Sequence, residues 1–430
     1  MKTIVAQIIV LVFLSQIISG QDISYLHLQG NITSTLMNPG APLNQKINVG
    51  IGSLFLQLGT NGPPIHQLTS VNNSGQRYLD INVINELDEA RYDLHMDYDV
   101  RTVDLGIQVS DFTILAGHGF RSSFNINYTS DVIKLLSQGN ANFIDQTLEI
   151  GPNIDVQAYN ELYLGLQKTL GKFTLGAKAK LLYGTSSIYT ETSDMSFRTL
   201  PEFYQLQFKN DYTLRSSNLL KYDGLDDIGF EYSRITFDNL FFNNRGFALD
   251  LGATFKLNKN ITLSASALDI GSIHWDFSPK KYTSLGTFTF EGIDLVDFIQ
   301  DTNFNVQDTL LDLIEVNTTA EVYRTSLNNR FILGCSYVRD HWAFHSLYQM
   351  HTRFGTRNHQ LSLSAIRKIN IFDLGLSYTM NKNNFNSLGL YLGLKTKHVN
   401  VYFSTQNIYG IFEPTKITNV SGALGFSFQL

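Results

Sequence analysis

An antiparallel transmembrane β-barrel is the fold class the sequence predicts, and three features predict it. Apolar and polar residues alternate in repeated segments of about ten residues, the length a tilted strand needs to cross a bilayer. Aromatics reach 12% while charged residues stop at 16% of the 430 residues, against a usual charged fraction of about a quarter. The chain ends on a strand-like apolar face, Leu424, Phe426, Phe428 and Leu430. A helical membrane protein would instead carry several apolar runs of about 20 residues.

One such run comes close, at the start. Lys2 supplies a positive charge, Ile4 to Ile18 is almost wholly apolar, and Ser19-Gly20 puts small residues before Gln21. This reads as a secretory signal peptide over residues 1–20, and so as export to the outer membrane. Losing Lys2 makes the formal charge of −6 one unit more negative. The mature chain is mildly acidic, with no basic stripe to hold nucleic acid. Cys335 is the single cysteine, which excludes an intramolecular disulfide; it lies too far from the cleavage site to accept a lipid. Residues 21–45 are too irregular for a strand and are expected to fold into the lumen, leaving 46–430 for the barrel.

The strands follow from the period of two, which sends successive side chains to opposite faces. Phe173, Leu175, Ala177, Ala179, Leu181 and Tyr183 alternate with Thr174, Gly176, Lys178, Lys180 and Leu182. Phe247, Leu249, Leu251, Ala253, Phe255 and Leu257 alternate with Ala248, Asp250, Gly252, Thr254 and Lys256. The same pattern recurs at Phe372–Thr379, Ser387–Lys395 and Val399–Ser404. The polar sides are mostly Gly, Ser, Thr and Asn, which suits a crowded interior better than a water-facing sheet. Tight links are expected at 258–260, 339–341 and 382–384. Longer excursions are expected at 129–158, 184–202, 216–245, 276–329 and 406–419. Ser130 is placed to cap a helical turn carrying Val132, Ile133, Leu135 and Leu136, and Val306, Leu310, Leu311, Leu313 and Ile314 have helical spacing. The final apolar strand is expected to pair with the first and remove the open edges. About sixteen segments qualify as strands, and an even number from 12 to 16 or so is expected.

Within Asn243–Thr254, Leu263–Gly271 and Trp275 the chain resembles an outer-membrane barrel family of the Bacteroidota, a domain of unknown function. Asn38-Pro39-Gly40 and Asn407-Ile408-Tyr409-Gly410 support the resemblance. That family is in turn similar to FadL-type fatty-acid channels and to PorV, the barrel that works with type 9 secretion. The resemblance implies about fourteen strands with an N-terminal segment in the lumen. It carries no catalytic residue. The family pattern usually has Ala where this chain has Gly40.

Two constellations could carry chemistry. Asp93, His95, Asp97, Asp99 and Arg101 share one strand face, and the next strand is expected to turn Asp104, Gln108 and Ser110 inward. Lys178, Lys180 and Lys256 are inward by the same alternation. Buried carboxylates at this density need cations or water, so either an ion-pair network filling the lumen or a polar-ligand site is implied. His341, His345 and His351, with Arg353, form a second inward group. His341 and His345 stand about 14 Å apart along a strand and cannot chelate one metal unaided. No G-x-S-x-G elbow, H-E-x-x-H motif or phosphate loop occurs.

No cofactor is expected, and the function class is non-enzymatic. The first expectation is an occluded binding or transport barrel for an apolar ligand, embedded in outer-membrane lipid. The alternatives are an accessory subunit of a type 9 secretion or gliding-type complex, with other outer-membrane proteins as partners, and an outer-membrane enzyme. The expected occlusion rests on the N-terminal segment, the paired charges and helical inserts near 130–137 and 305–315.

Overall fold

The computed structural model describes residues 30–430 apart from 63–66, 68, 72–76, 80–88, 219, 223–227, 235, 291–315, 354–355, 382–383 and 414–415. The expected signal peptide, residues 21–29, the helical spacing at 306–314 and residues 382–383 of the 382–384 link therefore lie outside the described residues.

Fourteen antiparallel strands form a closed barrel: β1 (Ile47–Thr60), β2 (Arg91–Val109), β3 (Phe112–Thr129), β4 (Asn153–Leu170), β5 (Phe173–Thr199), β6 (Arg245–Lys256) and β7 (Ile261–Trp275), then β8 (Arg330–Arg339), β9 (Trp342–Arg353), β10 (Thr356–Ile369), β11 (Phe372–Asn381), β12 (Asn384–Lys395), β13 (Val399–Thr405) and β14 (Asn419–Gln429). Closure comes from β14 pairing with β1, from Asn48↔Gln429 to Gly59↔Asn419. No wall strand is left with an open edge along the ring. Fourteen strands is the number the family resemblance implies.

The alternation sorts the wall into two faces. Leu164, Leu166 and Leu376 point outward and are 65%, 50% and 55% exposed. Near one end, aromatic rings collect on the outside: Phe173 stacks on Phe255 at 4.5 Å, Trp342 on Phe344 at 6.0 Å, and Phe426 meets Phe428 edge-on at 4.7 Å. This end carries the tight turns. Ser110, Gly171, Asp340 and Asn370 take positive φ there, as two-residue hairpin turns require. We call it the turn end, and the opposite end, with the longer connections, the loop end.

Several expectations need correction. Residues 93–101 and 103–109 belong to one strand, β2, with a bulge at Thr102 between the pairs Arg101↔Gly119 and Val103↔His118. The extra residue switches the inward parity from odd to even, which imitates a second strand in sequence. Ser110 sits in the turn at φ 57° rather than facing inward. Residues 184–199 continue β5, and 279–290 form a strand rather than part of an excursion. Above the barrel, β5 pairs with Leu206–Ser217, which pairs with Pro279–Phe290, and with the short edge strands Thr147–Glu149 and Asn317–Thr319 they make a protruding sheet. Helix α1 (Ser130–Gln138) is capped by Thr129, whose Oγ1 accepts from the Val132 N–H at 3.4 Å, one residue before the expected Ser130.

The apolar core lies inside the ring. Residues 30–43 enter it, with a single 3-10 turn at Ile32–Leu36 capped by the Asn31 side chain. Ile32, Leu36 and Met37 are buried against the inward-facing Leu115, Tyr163, Leu268, Ile332 and Leu347. Polar groups fix the segment to the wall. Ser266 donates to the Met37 carbonyl at 2.6 Å, Gln167 to the Pro39 and Ala41 carbonyls at 2.9 and 2.7 Å, Asn38 to the Ala253 carbonyl at 3.1 Å, and Gln429 to the Gly30 carbonyl at 3.2 Å. Glycines permit the approach. A Cβ on Gly176 would stand 2.1 Å from the Pro39 oxygen, one on Gly252 2.0 Å from Asn38 Oδ1, and one on Gly40 2.7 Å from the Gly252 oxygen. Alanine at position 40 has no room in this packing.

Candidate functional site

The inward faces of seven consecutive strands, β2 to β8, build a charged layer across the lumen. From β2, Asp99 and Arg101 lie on one side of the Thr102 bulge and Asp104 on the other. From β3 comes Arg121, from β4 Glu161 and Tyr163, from β5 Lys178 and Lys180, from β6 Asp250, from β7 Asp269 and from β8 Arg330.

Asp269 is the hub. Its carboxylate receives Arg121 at 2.7 Å, Lys180 at 2.7 Å and Arg330 at 3.0 Å. A second bulge makes this possible, because Leu268 and Asp269 together oppose Asp250 between the pairs Leu251↔Ala267 and Leu249↔Ile270. Asp269 takes φ 60°, and both Leu268 and Asp269 are buried. Asp250 accepts the Asp269 N–H at 2.7 Å and binds Lys180 at 2.7 Å. Arg101 binds Asp99 at 2.8 Å and reaches Glu161, while Arg121 reaches Asp99 at 3.4 Å. Four cations thus face four carboxylates, so the layer is neutral. That balance is what lets charges this deep be tolerated, since an unmatched one would carry its full desolvation cost.

Asp104 and Lys178 form an annex to the layer. Tyr163 donates to Asp104 at 2.6 Å, and the Lys178 ammonium lies 4.2 Å from the centre of the Tyr163 ring. Lys178 also donates to Thr35 Oγ1 of the N-terminal segment at 3.3 Å. On the far side Met37 Sδ lies 4.0 Å from an Arg330 nitrogen. The segment and the charged layer are one packed unit.

The residues singled out from sequence divide into three places. Asp99, Arg101, Asp104, Lys178 and Lys180 meet in the layer. Asp93, His95 and Asp97 lie further along β2 toward the loop end, where His95 Nδ1 is 2.9 Å from Asp93 Oδ2. His345 is buried near the turn end, 2.8 Å from the Ser336 hydroxyl. Lys256 is exposed at the end of β6 and His341 is exposed in the β8–β9 turn, so neither joins an inward cluster; the Arg353 side chain lies outside the described residues. Arg121, Glu161, Asp269 and Arg330 were not singled out. Glu161 shares parity with Tyr163 and Gln167 opposite the outward Leu162, Leu164 and Leu166, so the alternation contains it. Asp269 breaks the alternation between Leu268 and Ile270, and that break is the visible sign of the bulge.

The cavities along the lumen are small. One of about 70 Å³ lies toward the loop end of the layer, bounded by Phe55, Asp97, Arg121, Tyr159, Asn328 and His351. Another of about 10 Å³ lies within the layer beside Leu36 and Met37. A water needs roughly 10–15 Å³, so these hold a few waters at most. Among the described residues no group of three or more His, Cys, Asp or Glu side chains could hold a metal.

A family of unknown function, DUF5723, matches residues 39–406. No curated protein matches in sequence. Among solved structures, the chain is similar to the Pseudomonas putida toluene transporter TodX, with 9% identity, a TM-score of 0.43, and coverage of 93% of this chain and 94% of that one. It is similar to the Ralstonia pickettii toluene transporter TbuX, with 8% identity, a TM-score of 0.43 and 93% of each chain covered. A Pseudomonas aeruginosa FadL homologue gives 10% identity, a TM-score of 0.39, and coverage of 93% and 94%. Identities this low transfer no residue role.

Proposed function

This chain belongs to the DUF5723 family, and from that premise we propose that it is a non-enzymatic β-barrel of a bacterial outer membrane, closed at rest. The apolar outer face, the aromatic ring and the paired wall support the location, because a bilayer tolerates only sheets whose backbone groups are satisfied internally. The turn end faces the periplasm in this reading, and the loop end faces outward.

One observation carries the closed state: residues 30–43 lie inside the ring, bonded to β4, β6, β7 and β14 and packed on the charged layer. As a FadL-like binding or transport barrel, the protein would pass an apolar ligand only when this segment moves. Uptake of an environment-sensitive apolar dye into reconstituted vesicles tests this. The dye should enter with the unmodified protein, and more slowly when residue 38 is tethered to the wall by an Asn38→Cys/Thr254→Cys disulfide in place of the side-chain hydrogen bond at 3.2 Å.

A second reading is favoured by the cavities, which are small where a ligand barrel needs a sizeable apolar pocket. In it the protein is an accessory subunit of a type 9 secretion or gliding-type complex, engaging other proteins through its loops. Absence of dye uptake, with stoichiometric recovery of outer-membrane partners after gentle solubilisation and cross-linking, would select it.

A further inference from the structure

A second inward cluster, at the turn end, takes no part in the charged layer. Cavity space of about 30 Å³ opens there, with Lys368, Asp373 and Lys395 around it and His345, Tyr391 and Asn400 lining its wall. The three charged residues come from adjacent strands β10, β11 and β12, and their register holds them together. Lys368 is directly opposite Asp373, and Asp373 directly opposite Gly393. Asn31 of the N-terminal segment forms part of the lining.

Charge is the informative property. The layer above balances each cation with a carboxylate, whereas here two lysines share one aspartate. Neither lysine forms an ion pair within 4.0 Å with any described residue. His345, Tyr391 and Asn400 are each more than nine-tenths buried and form the inner wall of the space, while Asp373 and Lys395 are half-buried and Lys368 is exposed at its mouth. Gly393 keeps it open: a Cβ there would stand 2.7 Å from the Tyr391 hydroxyl and 3.2 Å from the Asp373 Cβ. The surplus is a single positive charge, and the space admits a group of about two water volumes.

We propose that this is a binding site for a small monovalent oxyanion, a carboxylate of formate or acetate size, held between the Lys368 and Lys395 ammonium groups. Dianions are disfavoured because a second negative charge would meet Asp373 with no cation left to offset it. The site is built by the turn end of the wall together with Asn31 and stands under either functional reading.

The test uses the full-length protein in detergent, with ¹³C-acetate line broadening as the readout and heat-modifiable migration as the check on folding. The unmodified protein should broaden acetate saturably, and inorganic phosphate should compete at least ten-fold less well than unlabelled formate. Lys395→Met and Lys368→Met should each weaken binding ten-fold or more. Gly393→Ala, which fills the space without changing charge, should also weaken it. Lys256→Met, a turn-end lysine outside the cluster, should leave it unchanged. Absence of saturable broadening, equal competition by phosphate, or equal affinity in the folded Lys368→Met and Lys395→Met variants would overturn the proposal.

Discussion

Replacing Asp269 with Asn removes one charge and little else. Asparagine tolerates the left-handed backbone that Asp269 adopts at φ 60°, and its N–H still reaches Asp250. Its amide oxygen can still accept one hydrogen bond. Lost is the charge that three cations share at 2.7, 2.7 and 3.0 Å. The layer then holds Arg101, Arg121, Lys180 and Arg330 against Asp99, Glu161 and Asp250, a surplus of one buried positive charge. The Asp269 side chain is 1% exposed, so water cannot screen the change. Removing one partner from such a buried pair costs about 3–5 kcal/mol, which is roughly a hundredfold to a few thousandfold in the folding equilibrium. Reversible urea unfolding in lipid vesicles measures it, with the fluorescence of the buried Trp275 as signal. Asp269→Asn combined with Arg330→Met restores neutrality while Lys180 stays on Asp250, and should recover more than half of the loss. A single variant within about 1 kcal/mol of the unmodified protein, or a double variant as unstable as the single one, would refute the charge-balance reasoning.

Gly252→Ala and Gly176→Ala should each displace Asn38–Gly40 from the wall, since their Cβ atoms would meet Asn38 Oδ1 at 2.0 Å and the Pro39 oxygen at 2.1 Å; limited proteolysis of the N-terminal segment should become faster, and unchanged protection would contradict the packing. Leu424 is outward and 47% exposed, so Leu424→Arg should lower the assembled outer-membrane yield by the equivalent of about 2–4 kcal/mol near mid-membrane. Ala423→Ser, on the inward face, should be mild, and equal yields would show the β14 register to be wrong. Thr129→Ala removes the α1 cap and should cost about 1 kcal/mol, visible as faster amide exchange at Asp131 and Val132 with the barrel strands unaffected.

The barrel itself was legible because alternation is a local property. The strand at Phe173–Tyr183 could be assigned face by face from its own residues, down to Leu182 on the inner side. Bulges are where this reading fails. At Thr102 one extra residue flips the parity, so a single strand reads as two. At Leu268–Asp269 the same device turns two successive side chains inward, and the hub of the layer goes unnoticed. Partner choice was less accessible than facing direction. Lys178, Lys180 and Lys256 share one parity, yet height along the barrel separates the first two from the third, and height depends on where each strand meets the turn end. The sheet beyond the barrel also resisted reading, because β5 continues through residues whose pattern no longer contrasts lipid with lumen.

Planar-bilayer conductance bears most directly on the closed state. In the proposed closed state the N-terminal segment and the neutral charged layer occupy the lumen that an open porin of similar length would leave to water. The unmodified protein should therefore insert with little steady current. Substituting Asp93, Asp97, Asp99 and Asp104 by Asn should raise that current, since Asp99 and Asp104 lie in the layer and its annex. Large, stable, porin-like conductance from the unmodified protein would contradict the closed barrel.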